Sequence, residues 1–149
     1  MSTEHESCAD AAVRWAMGMI GSGDYRYRCV TFVREAYEIA NHIELPRHHT
    51  AREAAEAYGT EAGSVPPRGA LVFYDYWGTL EGEHRNWGHV GLSTGDGRVI
   101  HAWGSVQVHG YLEVEELDAG EEWTKPRYIG WTPVSRVLEG MTPRGSGCP

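Results

Sequence analysis

Three residues of this chain have the types and surroundings that nucleophilic catalysis requires: Cys29, His89 and His101. Cys29 stands where a Gly-containing stretch, residues 21–28, gives way to a helical pattern. A thiol at a helix N-terminus meets the positive end of the dipole and unpaired backbone N–H groups, both of which favour thiolate. The same N–H groups can hold an oxyanion. His89 follows Trp87-Gly88 at the start of a strand-like run, and His101 lies near the end of the next. Antiparallel neighbours run about 5 Å apart, so imidazoles on such a pair can interact, one ring taking the thiol proton while the other anchors it. Each residue alone has a plainer reading. An isolated cysteine is usually a small hydrophobe at a core edge, and the histidines can bond locally at strand ends. The combination points to chemistry.

The elements that must position these side chains can be read from the pattern. Residues 9–20 carry Ala12, Val13, Ala16, Met17 and Ile20 at helical spacing, with Gly21-Ser22-Gly23 as a stop. A second helix begins at Cys29, with Val30, Val33, Tyr37 and Ala40 on one stripe and Phe32, Ala36 and Ile39 beside it. Residues 41–49 form a loop. Thr50-Ala51-Arg52-Glu53 is a capping box that opens a third, short helix, closed by Gly59. Beyond Gly63 the period changes to runs of β-formers. A buried strand is expected over 70–76, a polar loop over 78–87, and strands over 89–94 and 98–103 joined by Gly95-Asp96-Gly97. Val106, Val108 and Tyr111 alternate as a further strand, and 127–131 reads as the last. Helices first, then short antiparallel strands, is the α+β pattern. One domain over 1–149 is expected, with 1–7 and 141–149 as flexible ends.

Charge and composition exclude several function classes. The net charge is −8, from 21 acidic and 13 basic residues, and Lys125 is the single lysine. Nucleic acid and anionic lipid repel such a surface, and the same repulsion counts mildly against tight docking on an anionic wall. No apolar run approaches the roughly 20 residues needed to span a bilayer, and the first residues lack the basic-then-apolar layout of a secretory leader. A soluble chain is expected, cytoplasmic as made or exported by a non-classical route. Three cysteines, Cys8, Cys29 and Cys148, are too few for a disulfide framework, although a Cys8–Cys148 bridge would join the two ends. The histidines, His48-His49, His84, His89, His101 and His109 among them, fit no compact zinc spacing, so no metal or cofactor is called for. Trp77, Trp87, Trp103 and Trp131 are core candidates by default, with Trp87 best placed to line a site. The acidic stretch 113–122 reads as a solvated loop.

Order and context also resemble a known family. Cys29-Val30-Thr31-Phe32-Val33 resembles the nucleophile segment of NlpC/P60 hydrolases. Arg68-Gly69-Ala70-Leu71-Val72-Phe73-Tyr74 is similar to that family's first core strand, and Leu45-Pro46-Arg47 to its Leu-Pro-Arg stretch. Gly88-His89-Val90-Gly91-Leu92 resembles its base-bearing strand, and Gly95-Asp96-Gly97-Arg98-Val99-Ile100-His101-Ala102 its hairpin with the third polar residue. The likeness runs from about residue 9 to residue 111. It implies a papain-like α+β fold, with N-terminal helices packed on a small antiparallel sheet, and a Cys29–His89–His101 triad working through an acyl-enzyme. The implied substrate is a peptidoglycan stem peptide of a bacterial or phage setting, cut at a γ-D-glutamyl–diamino acid bond. The family's Asp-Cys-Ser-Gly is Arg28-Cys29-Val30-Thr31 here, a form nearer the related CHAP amidases, which leaves the scissile bond open. Tyr25 or Tyr27 would supply a site tyrosine, with Arg28 and Trp87 as further substrate contacts. An amidase, deamidase or acyltransferase acting off the wall keeps the same triad, and a catalytically dead binding module keeps only the scaffold. A monomer is expected, with an immunity or delivery protein as a candidate partner.

Overall fold

A computed structural model describes residues 3–145. The chain opens with α1 (Thr3–Gly18) and α2 (Cys29–Asn41), then a two-residue strand β1 (Ile43–Glu44) and α3 (Ala51–Tyr58). Strands β2 (Leu71–Asp75), β3 (Trp77–Leu80), β4 (Glu83–Asn86), β5 (His89–Ser93), β6 (Arg98–Trp103) and β7 (Ser105–Gly110) follow. A 3₁₀ turn (Glu113–Glu116), β8 (Arg127–Thr132), α4 (Val134–Leu138) and β9 (Thr142–Pro143) complete it. The main sheet has five antiparallel strands in the order β7-β6-β5-β2-β8. The α+β class read from the sequence is the class observed.

Strand alternation decides what each face meets. Leu71, Phe73, Val90, Leu92, Ile100 and Ala102 point toward the helices and form one core with Ala12, Val13 and Ala16 of α1 and Phe32, Val33, Ala36 and Tyr37 of α2. Val72 and Tyr74 point the other way and pack with Val99 and Val114. Because β2 is covered on both faces, residues 71–74 are apolar or aromatic without a break. On the second face Tyr74 is opposite His89, and Gly91 is opposite His101. Both histidines therefore share the face turned away from the helices.

Several expectations are corrected. The described part of 1–7 is helical, since α1 already begins at Thr3, and Cys8 and Ala9 are buried. Met17 and Ile20, placed on the apolar stripe of the first helix, are exposed: the buried residues of α1 are Cys8, Ala9, Ala12, Val13 and Ala16, and Ile20 lies beyond the helix end at Gly18. Ile39 likewise faces solvent, so the buried stripe of α2 is Phe32, Val33, Ala36 and Tyr37. The loop over 41–49 contains β1, which pairs with β9 and holds 142–143 where a flexible end was expected. The polar loop over 78–87 is largely the β3–β4 hairpin, whose two tip residues, Glu81 and Gly82, both have positive φ. The acidic stretch contributes side-chain acceptors: Gly110 N–H donates to the Glu113 carboxylate at 2.7 Å and Tyr128 N–H to the Glu115 carboxylate at 2.8 Å. The Cys8–Cys148 bridge involves Cys148, which lies outside the described residues. Among the described residues no helix is long and apolar enough to cross a membrane.

Candidate active site

Cys29 is the first residue of α2, and the residue before it, Arg28, offers no side-chain cap. Phe32 N–H is the first to bond back into the helix, to Arg28 C=O at 2.9 Å. The N–H groups of Cys29 and Val30 are thus left free of the ladder and turn toward the sulfur, joined by Val90 N–H from β5. Cys29 is partly buried, and burial pushes its thiol up despite these three donors. The helix N-terminus was expected to favour thiolate. Desolvation outweighs it here, so the resting group is a neutral thiol.

His89 opens β5 and is 4% exposed. The turn that delivers it is tied down on both sides. Asn86 accepts from Tyr76 N–H (2.9 Å) and Gly88 N–H (3.1 Å), and Arg52 N–H of α3 donates to Trp87 C=O at 3.0 Å. Asp75 in turn holds both the Asn86 amide (2.7 Å) and the Arg52 guanidinium (3.1 Å). His89 Nε2 is hydrogen-bonded to His101 Nδ1 at 2.8 Å, which leaves Nδ1 as the ring nitrogen free for a thiol proton. The two residues are diagonal neighbours across β5 and β6, a separation that long side chains bridge. His101 is fully buried and bonds onward, Nε2 to His109 Nδ1 of β7, also at 2.8 Å. These ring nitrogens are turned toward one another, not toward a shared point where a metal ion would sit.

Burial lowers the affinity of both inner rings for a proton. His89 is pushed down to about 4, and His101 goes well below the ordinary value, with its two imidazole neighbours adding to the effect. The consequence for stability has a definite sign. Above the ordinary histidine value of about 6.5, neither state carries a proton on His89. Below it the unfolded chain takes one up, and the folded chain does not until about 4. Stability is therefore full at neutral pH and falls on acidification by about 3 kcal/mol from His89 alone. Urea unfolding at pH 7 and pH 4.5 should show this as a lower midpoint at the acid value, reduced in His89→Asn. An unchanged midpoint would mean that the ring is protonated in the fold.

Cys29 and His89 line one cleft of about 680 Å³. Tyr27, Arg28 and Trp87 are on its walls. Trp87 is fixed by Nε1–H donation to Gly78 C=O at 2.9 Å and by the Arg85 guanidinium 4.6 Å from its ring. Tyr25 is elsewhere. It is buried between Trp15 and Phe32, its hydroxyl donating to Glu35 at 2.6 Å, so the tyrosine that reaches the cleft is Tyr27. Of the tryptophans read as core, Trp103 lines the cleft 5.3 Å from the His89 ring, while Trp77 is exposed.

Sequence reasoning missed Tyr76, Trp123 and the pair His48-His49, all on the cleft wall. Tyr76 stacks on Trp123 (4.4 Å) and lies near enough to Cys29 and Tyr27 that they add to the burial raising its hydroxyl to about 12. Its place at the end of the 70–76 run was the available signal. Nothing local marked Trp123, which is brought in by packing over Gly78. A neutral thiol, a neutral imidazole with one free nitrogen, and unpaired N–H groups around the sulfur are the parts of an acyl-transfer site. A family model described as the NlpC/P60 family matches residues 14–128. A search of curated proteins found no match.

Proposed function

The chain belongs to the NlpC/P60 family and is a hydrolase of the cysteine peptidase or amidase kind, and we propose that it cleaves an amide bond in peptidoglycan stem peptides. The observation that carries the reading is the meeting in one cleft of Cys29, at an uncapped helix start, with His89 backed by His101. Cys29 Sγ attacks the amide carbonyl as its proton passes to His89 Nδ1, so thiolate forms only in the act of attack. Negative charge develops on the carbonyl oxygen, and the N–H groups of Cys29 and Val30 are the donors at hand. Collapse of the adduct breaks the C–N bond, and His89 returns the proton to the leaving amine. Water, deprotonated by the same imidazole, then hydrolyses the thioester and frees the thiol.

The cleft's chemistry supports a γ-D-glutamyl–diamino acid bond as the target. A γ-linkage leaves the glutamate α-carboxylate free, and Arg26 and Arg28 line the cleft beside Cys29 as cations for it. Aromatic faces from Tyr27, Tyr76, Trp87 and Trp103 suit the apolar stretches of a short peptide. Digestion of purified peptidoglycan followed by mass spectrometry tests this. The expected products carry a new glutamyl carboxyl end and a new diamino-acid amine. Arg28 and Val30, which flank the nucleophile in place of an acidic and a hydroxyl residue, favour a second substrate, an amide outside the wall handled by the same groups. A digest with no new ends would move the assignment there.

A further inference from the structure

His109 lies outside the three residues given roles above, yet its ring continues their line. His89, His101 and His109 come from three successive strands and share one sheet face, with ring centroids 5.1 Å apart at each step. Each contact is a 2.8 Å bond from one ring's Nε2 to the next ring's Nδ1. A neutral imidazole has one N–H and one bare nitrogen. Both bonds must then run in the same direction, because His101 has a single proton to give. Only two ordered arrangements exist. With donation outward, from His89 to His101 to His109, His89 Nδ1 is bare and can take the Cys29 proton. With donation inward, His89 Nδ1 already carries a proton and no base faces the thiol.

We infer that His109 is a positioning residue: by accepting the Nε2 proton of His101 it holds His89 in the tautomer with Nδ1 bare. This rests on the reading of Cys29 and His89 as nucleophile and base. The burial of His101 makes that acceptor necessary for the outward arrangement. That ring is fully enclosed, so an Nε2–H without an acceptor would be a buried orphan donor, a rarer and costlier condition than an under-used acceptor. Without His109 the cheaper arrangement is the inward one, with His101 Nε2 bare and His89 switched off. His109 is only partly buried on the outermost strand, so its own Nε2–H can be satisfied by water.

The test is the ¹⁵N spectrum of the imidazoles in the full chain at pH 7.5, beside the rate of wall-fragment release. The wild type should show a bare Nδ1 and a protonated Nε2 on all three rings. His109→Leu, which keeps the bulk and removes the acceptor, should move the His89 proton to Nδ1 and slow release at least about tenfold. His109→Asn, whose Oδ1 can accept from His101, should restore the wild-type pattern at His89 and most of the rate. A protonated His109 Nδ1 in the wild type overturns the inference, as does a His89 tautomer unchanged by His109→Leu. Equal losses in the Leu and Asn variants with no tautomer change also overturn it, since they would mark a packing role. If the Leu variant does not fold, the wild-type and Asn spectra still decide. Outward tautomers with no fragment release would leave the relay standing and sink the proposed substrate instead.

Discussion

Peptidoglycan incubated with the Cys29→Ala variant is expected to yield no more soluble fragment than buffer alone, and wild type to release fragments steadily. Alanine leaves the N–H groups at the start of α2 in place, so any residual activity would report on them and on the cleft. What it removes is the atom proposed to form the thioester, and His89, placed as a base, is left with no thiol to deprotonate. His89→Ala should behave differently. The thiol remains and can attack slowly through its small thiolate fraction, so release falls by about 10²- to 10⁴-fold, the usual worth of a positioned general base. Burial already holds the Cys29 thiol above its ordinary range, so little thiolate is present to compensate. Cys29 is only partly buried, so Cys29→Ala should cost about 1 kcal/mol of stability at most. A thermal melt run beside the digest separates loss of chemistry from loss of fold. Equal release by wild type and Cys29→Ala would remove Cys29 from the mechanism altogether.

Gly88→Ala is expected to damage stability and activity together, although the side chain added is a single methyl. Gly88 has φ +75°, a conformation in which a β-carbon is strained whatever the space around it. Space is also lacking. The new Cβ would stand 2.6 Å from Arg52 N and 3.1 Å from Ala51 C, backbone atoms of α3 that cannot swing aside as a side chain can. Relief requires α3 and the start of β5 to separate, which breaks the Arg52 N–H bond to Trp87 C=O and shifts the next residue, His89. Strain and overpacking together predict a loss of about 2–5 kcal/mol. A misplacement of His89 by about 1 Å would cost roughly 10²-fold in rate. Urea denaturation and the wall-digestion rate measure the two effects. A variant that keeps both would show that the turn tolerates the methyl and that His89 is not positioned through it.

The parts of the fold that were legible have short-range causes. Thr50 accepts from Glu53 N–H at 3.0 Å, as its capping box required, and Gly59 closes α3. The Gly95-Asp96-Gly97 turn has both glycines at positive φ and joins β5 to β6 where expected. The start of α2 at Cys29 followed from the helical pattern alone. Where the reading failed, the deciding interaction was distant in sequence. The tip of the β3–β4 hairpin is Glu81-Gly82, without the Asn or Asp that usually announces such a turn, and the hairpin is held by contacts to Trp123 and Thr124. Tyr25 and Tyr27 are two residues apart and alike in composition. A positive φ at Tyr27 separates them, leaving it 69% exposed at the cleft while Tyr25 packs under α2.

The helix that begins on Cys29, the hairpin bearing His89 and His101, and the α+β order of the elements were determined by the sequence itself, because caps, turns and periodicity act within a few residues. The family likeness was written there too, in the residues around those three positions. Tertiary structure alone decided how the groups work. The offset between β6 and β7 carries the histidine line one ring further, to His109, through a pairing that no local pattern encodes. Burial, a property of the whole packed chain, makes the thiol and the two inner imidazoles neutral at rest, against the thiolate that a helix N-terminus by itself would favour.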